Sequence, residues 1–151
     1  MVLWAGRHHR PEWEVLCADY RQRIERELPI DDRMIKAGGS GKDPGRKDAE
    51  GEALLAALPQ PCWSIALDPR ARPASTGDLA KELRRLREEW PHPIAFILGS
   101  DLGLAECVLQ AVRQRLSLGK MVFGHELARL ALYEQLYRSI SIGKGIKYHR
   151  F

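Results

Sequence analysis

The chain has 151 residues, 44% of them apolar and 29% charged, a composition that excludes collagen-like, low-complexity and strongly disordered proteins. A chain of this length can bury enough surface to fold as one domain over residues 1–151 without disulfides or a structural metal. Its three cysteines, Cys17, Cys62 and Cys107, show no CxxC or Cys/His spacing, which predicts reduced, buried thiols and no metal site. The apolar runs are too short for a membrane span or a signal peptide, so we expect a cytoplasmic protein.

Basic residues are concentrated toward the C-terminus. The whole chain has 24 Lys and Arg against 20 Asp and Glu, a formal charge of +4. The residues from Arg113 onward carry a formal net charge of +6, which leaves a net charge of −2 for the first 112 residues. A basic segment on a slightly acidic body suits a polyanionic partner such as nucleic acid, and it equally suits a solubilising tail.

The first part of the chain predicts two strands, Met1–Gly6 and Arg33–Ala37, on either side of a helix. The helix can begin at Pro11, because proline is tolerated in a first turn. Its apolar residues recur at helical spacing: Trp13, Leu16, Cys17, Tyr20 and Ile24. The glycine-rich run that starts at Gly38 predicts a mobile loop rather than a phosphate-binding loop, because it lacks the glycine and Ser/Thr spacing of that motif.

The next segment continues the alternation of helix and strand. We expect a helix over about Lys47–Leu58, a strand over Cys62–Leu67 and a fully apolar strand over Ile94–Leu98. Between these strands, Ser75 with Asp78 three residues later predicts a capped helix. The buried side of that helix is predicted to carry Leu79, Leu83, Leu86 and Trp90.

Strands that alternate with helices of this length predict an α/β fold with a mainly parallel sheet and helices on both faces. In such sheets, ligands bind beyond the carboxyl ends of the strands. The loops after Leu67, Leu98 and Leu118 are therefore the expected positions of the chemistry. The run Gly99–Gly103 in the second loop does not match GxGxxG, so it fits either a close approach of cofactor to backbone or a plain tight turn.

The helix predicted from His125 has apolar residues on two sides. One stripe is Leu127, Leu130, Ala131 and Tyr137, and the other is Ala128, Leu132, Leu136 and Ile140. A monomer can cover only one such side, which predicts contact with a second subunit. Glu134 and Arg138 are spaced to pair, and this spacing is more typical of a structural ion pair than of a catalytic pair. The final Tyr148-His149-Arg150 is more aromatic than disordered ends usually are, and it offers stacking, proton transfer and phosphate contact.

The C-terminal motifs taken together resemble a known family. They are Ile97–Leu104 (ILGSDLGL), Leu116–His125 (LSLGKMVFGH), Arg129, Glu134–Arg138 (EQLYR) and Tyr148–Arg150 (YHR). This combination is similar to the RlmH-type pseudouridine N3-methyltransferases of 23S ribosomal RNA, which are SPOUT-class enzymes. The resemblance covers the whole chain in length and element order, while its specific motifs lie after Ile94.

The resemblance implies an α/β-knot, in which the C-terminal part of the chain is threaded as a trefoil, and a homodimer that binds S-adenosylmethionine in the knot. By position, the implied cofactor-binding residues are Leu67, Gly99, Gly103, Leu118, Gly119, Lys120, Met121, Val122 and Phe123. The chain departs from the family pattern at Ser100, where relatives have a second glycine, at Gly124, where they have proline, and at the terminal Phe151.

The implied reaction is methyl transfer to N3 of a pseudouridine in the helix 69 loop of 23S ribosomal RNA, on assembled ribosomes. The implied catalytic residues are Arg138, Tyr148, His149 and Arg150: the cations contact the base and its phosphates, Tyr148 orients the nucleotide, and His149 is suited to move a proton near neutral pH. The alternative is a non-catalytic RNA-binding module of the same fold. Neither a membrane nor a metal is expected as a partner.

Overall fold

The computed structural model describes residues 1–6, 10–36 and 44–148, and in these ranges helices alternate with strands as predicted. The strands are β1 (Val2–Ala5), β2 (Asp32–Ile35), β3 (Trp63–Leu67), β4 (Ile94–Leu98) and β5 (Gln114–Leu116). The helices are α1 (Pro11–Glu25), α2 (Pro44–Ala56), α3 (Thr76–Glu89), α4 (Glu106–Ala111) and α5 (His125–Lys144). None of these helices is long and apolar enough to span a membrane.

The five strands form one parallel sheet in the order β2-β1-β4-β3-β5. Helices α1, α3 and α5 pack on one face, where the core contains Cys17, Leu86 and Tyr133. Helices α2 and α4 pack on the other face, where Leu54 and Val108 are buried. The predicted α/β class, the parallel sheet and the helices on both faces are confirmed.

Several predicted boundaries are corrected. Helix α2 begins at Pro44, inside the run predicted as a loop, while residues 37–43 lie outside the described part of the chain. Helix α4 and strand β5 were not predicted, because elements of six and three residues are too short to show a period. The predicted cap of α3 is confirmed: the Asp78 backbone N–H donates to the Ser75 hydroxyl, and the Asp78 carboxylate accepts from the Ser75 backbone N–H.

The predicted apolar stripe of α1 is wrong at Leu16, which is 47% exposed. Part of the inward face of α1 instead makes ionic contacts. Arg129 of α5, 1% exposed, donates to the Glu14 carboxylate at 2.9 Å and to the Asp32 carboxylate of β2. Arg21 also donates to Asp32, at 2.6 Å. Such an ion-pair network, built around the buried Arg129, is not visible in a hydrophobic pattern, because its members are charged.

Two of the three cysteines are buried as predicted, whereas Cys107 on α4 is exposed, which corrects the prediction. Burial raises the pKa of the Cys17 thiol to about 11, and burial also raises the pKa of the Cys62 thiol. Because the thiolate is the reactive form, we expect one fast-reacting thiol per folded chain with a disulfide reagent and three after denaturation. Cys107→Ser removes the fast phase. A second fast thiol in the folded wild type would contradict this prediction.

Candidate active site

The carboxyl ends of β3, β4 and β5 meet at one edge of the sheet, and the segments that follow them enclose a cavity of about 550 Å³. This volume is within the usual range of small-molecule sites, roughly 300 to 1,000 Å³. The predicted cofactor residues that line it are Leu67, Gly99, Gly103, Leu118, Gly119, Met121, Val122 and Phe123. Lys120 is exposed and does not line the cavity.

The turn after β4 forms the back wall of the cavity and requires glycine at two positions for different reasons. A Cβ added to Gly99 would lie 2.4 Å from the Gly103 carbonyl carbon, so no side chain fits there. Gly103 has φ +72°, a left-handed conformation that glycine adopts without strain. Its backbone N–H donates to the Ser100 carbonyl at 3.0 Å, which closes the turn.

A buried carboxylate holds this turn from behind. Glu50 of α2 is 5% exposed and accepts a hydrogen bond from the Ser100 hydroxyl at 2.6 Å. Its other oxygen accepts from Arg46 Nε at 2.8 Å, and Arg46 Nη2 donates to Asp101 at 2.8 Å. Ser100, where the family resemblance would place a glycine, therefore has a hydrogen-bonding role between α2 and the turn. No motif in the sequence indicated Glu50.

The segment after β5 forms the opposite wall. The Ser117 hydroxyl donates to the Gly119 carbonyl at 2.7 Å and accepts from the Gly119 backbone N–H at 3.2 Å. Gly119 has φ +148°, and a Cβ there would meet nothing within 4 Å. Met121 and Val122 are 74% and 80% exposed. This wall therefore combines a closed turn with apolar side chains that protrude into solvent.

The segment after β3 forms the third wall. The Asp68 backbone N–H donates to the Leu116 carbonyl at 3.0 Å, and the Ala74 N–H donates to the Ser117 carbonyl at 3.4 Å. The Asp68 carboxylate is 4% exposed. Burial alone would raise its pKa, but hydrogen bonds from the backbone and guanidinium of Arg70, together with the charge of Arg115, hold the pKa below its ordinary value. Asp68 is therefore an anion in the cavity wall at neutral pH.

The prediction of site residues missed several side chains that line the cavity: Lys47, Asp68, Arg70, Ser117 and His125. His125 begins α5, and its position after Gly124 matches the histidine of the family motif. Ser117 also lies within the motif Leu116–His125, whereas Lys47, Asp68 and Arg70 belong to no motif, because they come from elements far from it in the sequence. In the described residues, no group of three His, Cys, Asp or Glu side chains could hold a metal ion.

Arg138 and Tyr148 do not line this cavity. Arg138 is 13 residues beyond His125 on α5, which places it roughly 20 Å along the helix axis. Tyr148 lies against α1 and α5: its ring packs on Tyr137 with centroids 4.7 Å apart, and its hydroxyl lies 3.2 Å from that of Tyr20. His149 and Arg150 are outside the described residues.

Glu134 connects Arg138 with Tyr148. The predicted Glu134–Arg138 pair is confirmed, with Arg138 Nε donating at 2.9 Å. The Tyr148 hydroxyl donates to the same carboxylate oxygen at 3.3 Å, and the Arg138 guanidinium lies 5.0 Å from the Tyr148 ring centroid. Burial, followed by the hydrogen bond with Tyr20, raises the pKa of Tyr148, so this phenol stays protonated at neutral pH. Glu134 thus holds two of the predicted catalytic residues in one cluster.

Comparison with known proteins identifies the family. The family model described as "Predicted SPOUT methyltransferase" matches residues 1–149. A ribosomal RNA large subunit methyltransferase H from Nitratidesulfovibrio vulgaris (strain DP4) is 35% identical over 149 residues, which are 98% of this chain and 96% of that protein.

Two solved structures share the fold. A probable methylase family protein from Haemophilus influenzae Rd KW20 matches 99% of this chain and 70% of its own, with a TM-score of 0.56 and 10% identity. A ribosomal RNA small subunit methyltransferase E from Neisseria gonorrhoeae, bound to S-adenosyl methionine, matches 89% of this chain and 64% of its own, with a TM-score of 0.50 and 14% identity. At these identities the likeness concerns the fold alone. The sequence matches, by contrast, extend over nearly the whole chain, and they show that it belongs to the SPOUT methyltransferase family, in the group of the ribosomal RNA large subunit methyltransferases H.

Proposed function

We propose that this chain transfers a methyl group from S-adenosylmethionine to N3 of a pseudouridine in 23S ribosomal RNA, in the helix 69 loop of assembled ribosomes. The observation that carries the proposal is the cavity at the carboxyl edge of the sheet, whose walls contain the glycine turn and the segment after β5 in which the family motifs occur. The names of its relatives support ribosomal RNA as the substrate.

The walls of the cavity fit the methyl donor. Leu67, Leu118 and Phe123 supply apolar surface for an adenine ring, and Gly99 allows a ligand to approach the backbone closely. This proposed binding surface also includes Gly103, Gly119, Met121 and Val122. Lys120 lies outside it and adds a positive charge. When bound, S-adenosylmethionine supplies an electrophilic methyl group on a positively charged sulfur.

The protein's own groups act on the acceptor base. The Arg138 guanidinium favours the negative charge that develops as N3 loses its proton, and the Tyr148 ring orients the nucleotide. His149 accepts the N3 proton, since an imidazole exchanges protons readily near neutral pH. Arg150 binds phosphate. These roles are carried over from the family motif, and the cluster around Glu134 supports them for Arg138 and Tyr148.

The trefoil knot belongs to the same proposal. Strand β5 lies on the opposite side of β3 from β4, and the chain then continues into α5, which packs with α1 and α3. The hydrogen bonds from Asp68 and Ala74 hold the segment after β3 beside the end of β5 and the start of the segment that leads to α5. This adjacency is compatible with threading of the C-terminal part of the chain.

The homodimer accounts for the separation of the cavity from Arg138 and Tyr148. In the dimer, Arg138 and Tyr148 of one chain reach the cavity of the other chain. Within a single chain, Arg138 lies roughly 20 Å along α5 from His125 at the cavity. Surface for the contact is present: Met121, Val122 and Leu127 are 74%, 80% and 40% exposed. The predicted stripe of α5 that contains Leu127, Leu130, Ala131 and Tyr137 is thus only partly covered within the chain.

Leu127→Glu is expected to convert the dimer into a 17.1 kDa monomer, because the interface would have to bury an unpaired carboxylate. Sedimentation velocity at micromolar concentration measures this. Met34→Glu, at a comparably exposed position on β2, serves as the control and leaves the dimer intact. A wild-type chain that sediments as a monomer would contradict the dimer.

The reaction is tested with purified protein, radiolabelled S-adenosylmethionine and three substrates: assembled ribosomes, free large subunits and protein-free 23S ribosomal RNA. We expect label in ribosomes and 3-methylpseudouridine in the nucleoside digest. RNA binding without binding of S-adenosylmethionine would instead support the alternative, a non-catalytic RNA-binding module. Transfer to another nucleotide would retain the enzyme class and overturn the proposed target.

A further inference from the structure

The segment between β3 and α3 carries two exposed arginines, and the first of them is at the cavity. Arg70 lines the cavity while its side chain remains 69% exposed, and Arg72 is exposed two residues later. Lys120 is exposed on the neighbouring segment after β5, between two residues that line the cavity. Two adjacent segments at this end of the sheet therefore carry exposed positive charge.

The backbone that carries these arginines is held at both ends. Besides the hydrogen bonds of Asp68 and Ala74 to the end of β5, the Ala71 N–H donates to the Asp68 carbonyl at 3.0 Å. Pro69 and Pro73 further restrict the backbone. The buried Asp68 carboxylate accepts from the Arg70 backbone N–H at 3.0 Å and from its Nε at 3.1 Å. Arg70 is thus oriented before any partner arrives.

Arg70 pairs with Asp68, whereas Arg72 and Lys120 differ from the paired arginines of α3. Arg84 pairs with Glu88 at 2.9 Å, and Arg85 pairs with Glu82 and Glu89, so these exposed guanidinium groups are neutralised along the helix. By contrast, neither Arg72 nor Lys120 forms an ion pair within the described residues. Their charge remains available to an anion outside the chain.

We propose that Arg70 and Arg72, with Lys120 on the neighbouring segment, bind phosphates of the substrate RNA on the subunit whose cavity is in use. The inference rests on the proposed function, because the methyl acceptor must reach this opening and it carries a phosphate on every nucleotide. Guanidinium groups bind phosphate with paired N–H donors, and such contacts position an RNA without reading its sequence. The subunit that binds the cofactor therefore contacts the RNA through these three side chains, independently of the C-terminal residues.

The test uses a fluorescein-labelled RNA hairpin with pseudouridines in its loop, titrated with protein at several salt concentrations. Each of Arg70→Gln and Arg72→Gln is expected to weaken binding about fivefold at 0.15 M salt and to flatten the plot of log Kd against log salt by about 0.7 to 0.9. Arg87→Gln makes the same charge change in the last turn of α3 and serves as the control, with no change in slope. In methyl transfer, Arg72→Gln, whose side chain is not among those lining the cavity, raises KM for ribosomes and leaves kcat unchanged.

Calorimetry with S-adenosylmethionine provides the second readout, and Arg72→Gln is expected to bind it like the wild type. Weakened cofactor binding with an unchanged salt slope would overturn the proposal, because Arg70 would then serve the methyl donor. Salt slopes equal to that of Arg87→Gln would overturn it as well. These binding measurements do not depend on catalysis, so a wild type that binds RNA and transfers no methyl group would refute the proposed function and not this surface.

Discussion

Deletion of Tyr148 to Phe151 is expected to lower methyl transfer by about 100-fold or more, since the loss of one well-placed acid–base group alone costs this much. The deletion also removes the Tyr148 ring that packs on Tyr137 and under the Arg138 guanidinium, so Arg138 loses part of its support. The affinity for S-adenosylmethionine should change little, because the deletion removes none of the residues proposed to bind this cofactor. Single-turnover transfer to ribosomes and calorimetry measure the two effects separately.

Two substitutions separate the contributions of the Tyr148 hydroxyl and the Glu134 carboxylate to this loss of methyl transfer. Tyr148→Phe keeps the ring and removes the hydrogen bonds of the hydroxyl to Glu134 and Tyr20, so it should retain most of the activity. Glu134→Gln removes the carboxylate charge that pairs with Arg138 and should lower kcat without changing cofactor affinity. If the truncated protein methylates ribosomes at the wild-type rate, the assignment of catalytic residues at this end of the chain is wrong.

Gly99→Ala is expected to weaken S-adenosylmethionine binding by about 100-fold, which corresponds to ~2.7 kcal/mol. The new Cβ would lie 2.4 Å from the Gly103 carbonyl carbon and 2.7 Å from the Leu104 nitrogen. These are backbone atoms, so the turn must open, and the back wall of the cavity moves with it. Calorimetry measures the affinity, and thermal unfolding verifies that the variant is folded.

Gly124→Ala is the matched control for this substitution. Gly124 also lines the cavity, but its φ is −58° and an added Cβ meets nothing within 4 Å. We expect the affinity of Gly124→Ala for S-adenosylmethionine to stay within about threefold of the wild type, a difference of ~0.7 kcal/mol. Equal losses in the two variants would show that cavity volume, rather than the closed turn, governs cofactor binding.

The sequence signals whose structural predictions are confirmed are local. The apolar strand Ile94–Leu98, the cap formed by Ser75 and Asp78 and the Glu134–Arg138 pair each depend on neighbours a few residues apart, and each is present. The rule that ligands bind beyond the carboxyl ends of parallel strands correctly indicated the loops after Leu67, Leu98 and Leu118 as cavity walls. The family resemblance then indicated individual residues in these loops.

The errors have physical reasons as well. Leu16 fits a helical stripe, but the ionic contacts of Glu14 and Arg21 occupy part of the face that α1 turns inward. Cys107 is exposed because α4 is a short helix that buries only Val108 and Leu109 against the sheet. Local patterns record which residues are apolar, and they do not record which face the packing covers.

By itself, the sequence determined the α/β class, the alternation of its longer elements, the family and eight of the residues that line the cavity, because these depend on short-range spacing and motif identity. Only the tertiary structure decided the strand order, the buried Glu50 behind Ser100 and the placement of Asp68 and Arg70 in the wall. It also decided that Arg138 and Tyr148 lie apart from the cavity of their own chain. Such contacts join residues tens of positions apart, and their geometry is set by how helices and strands pack against one another.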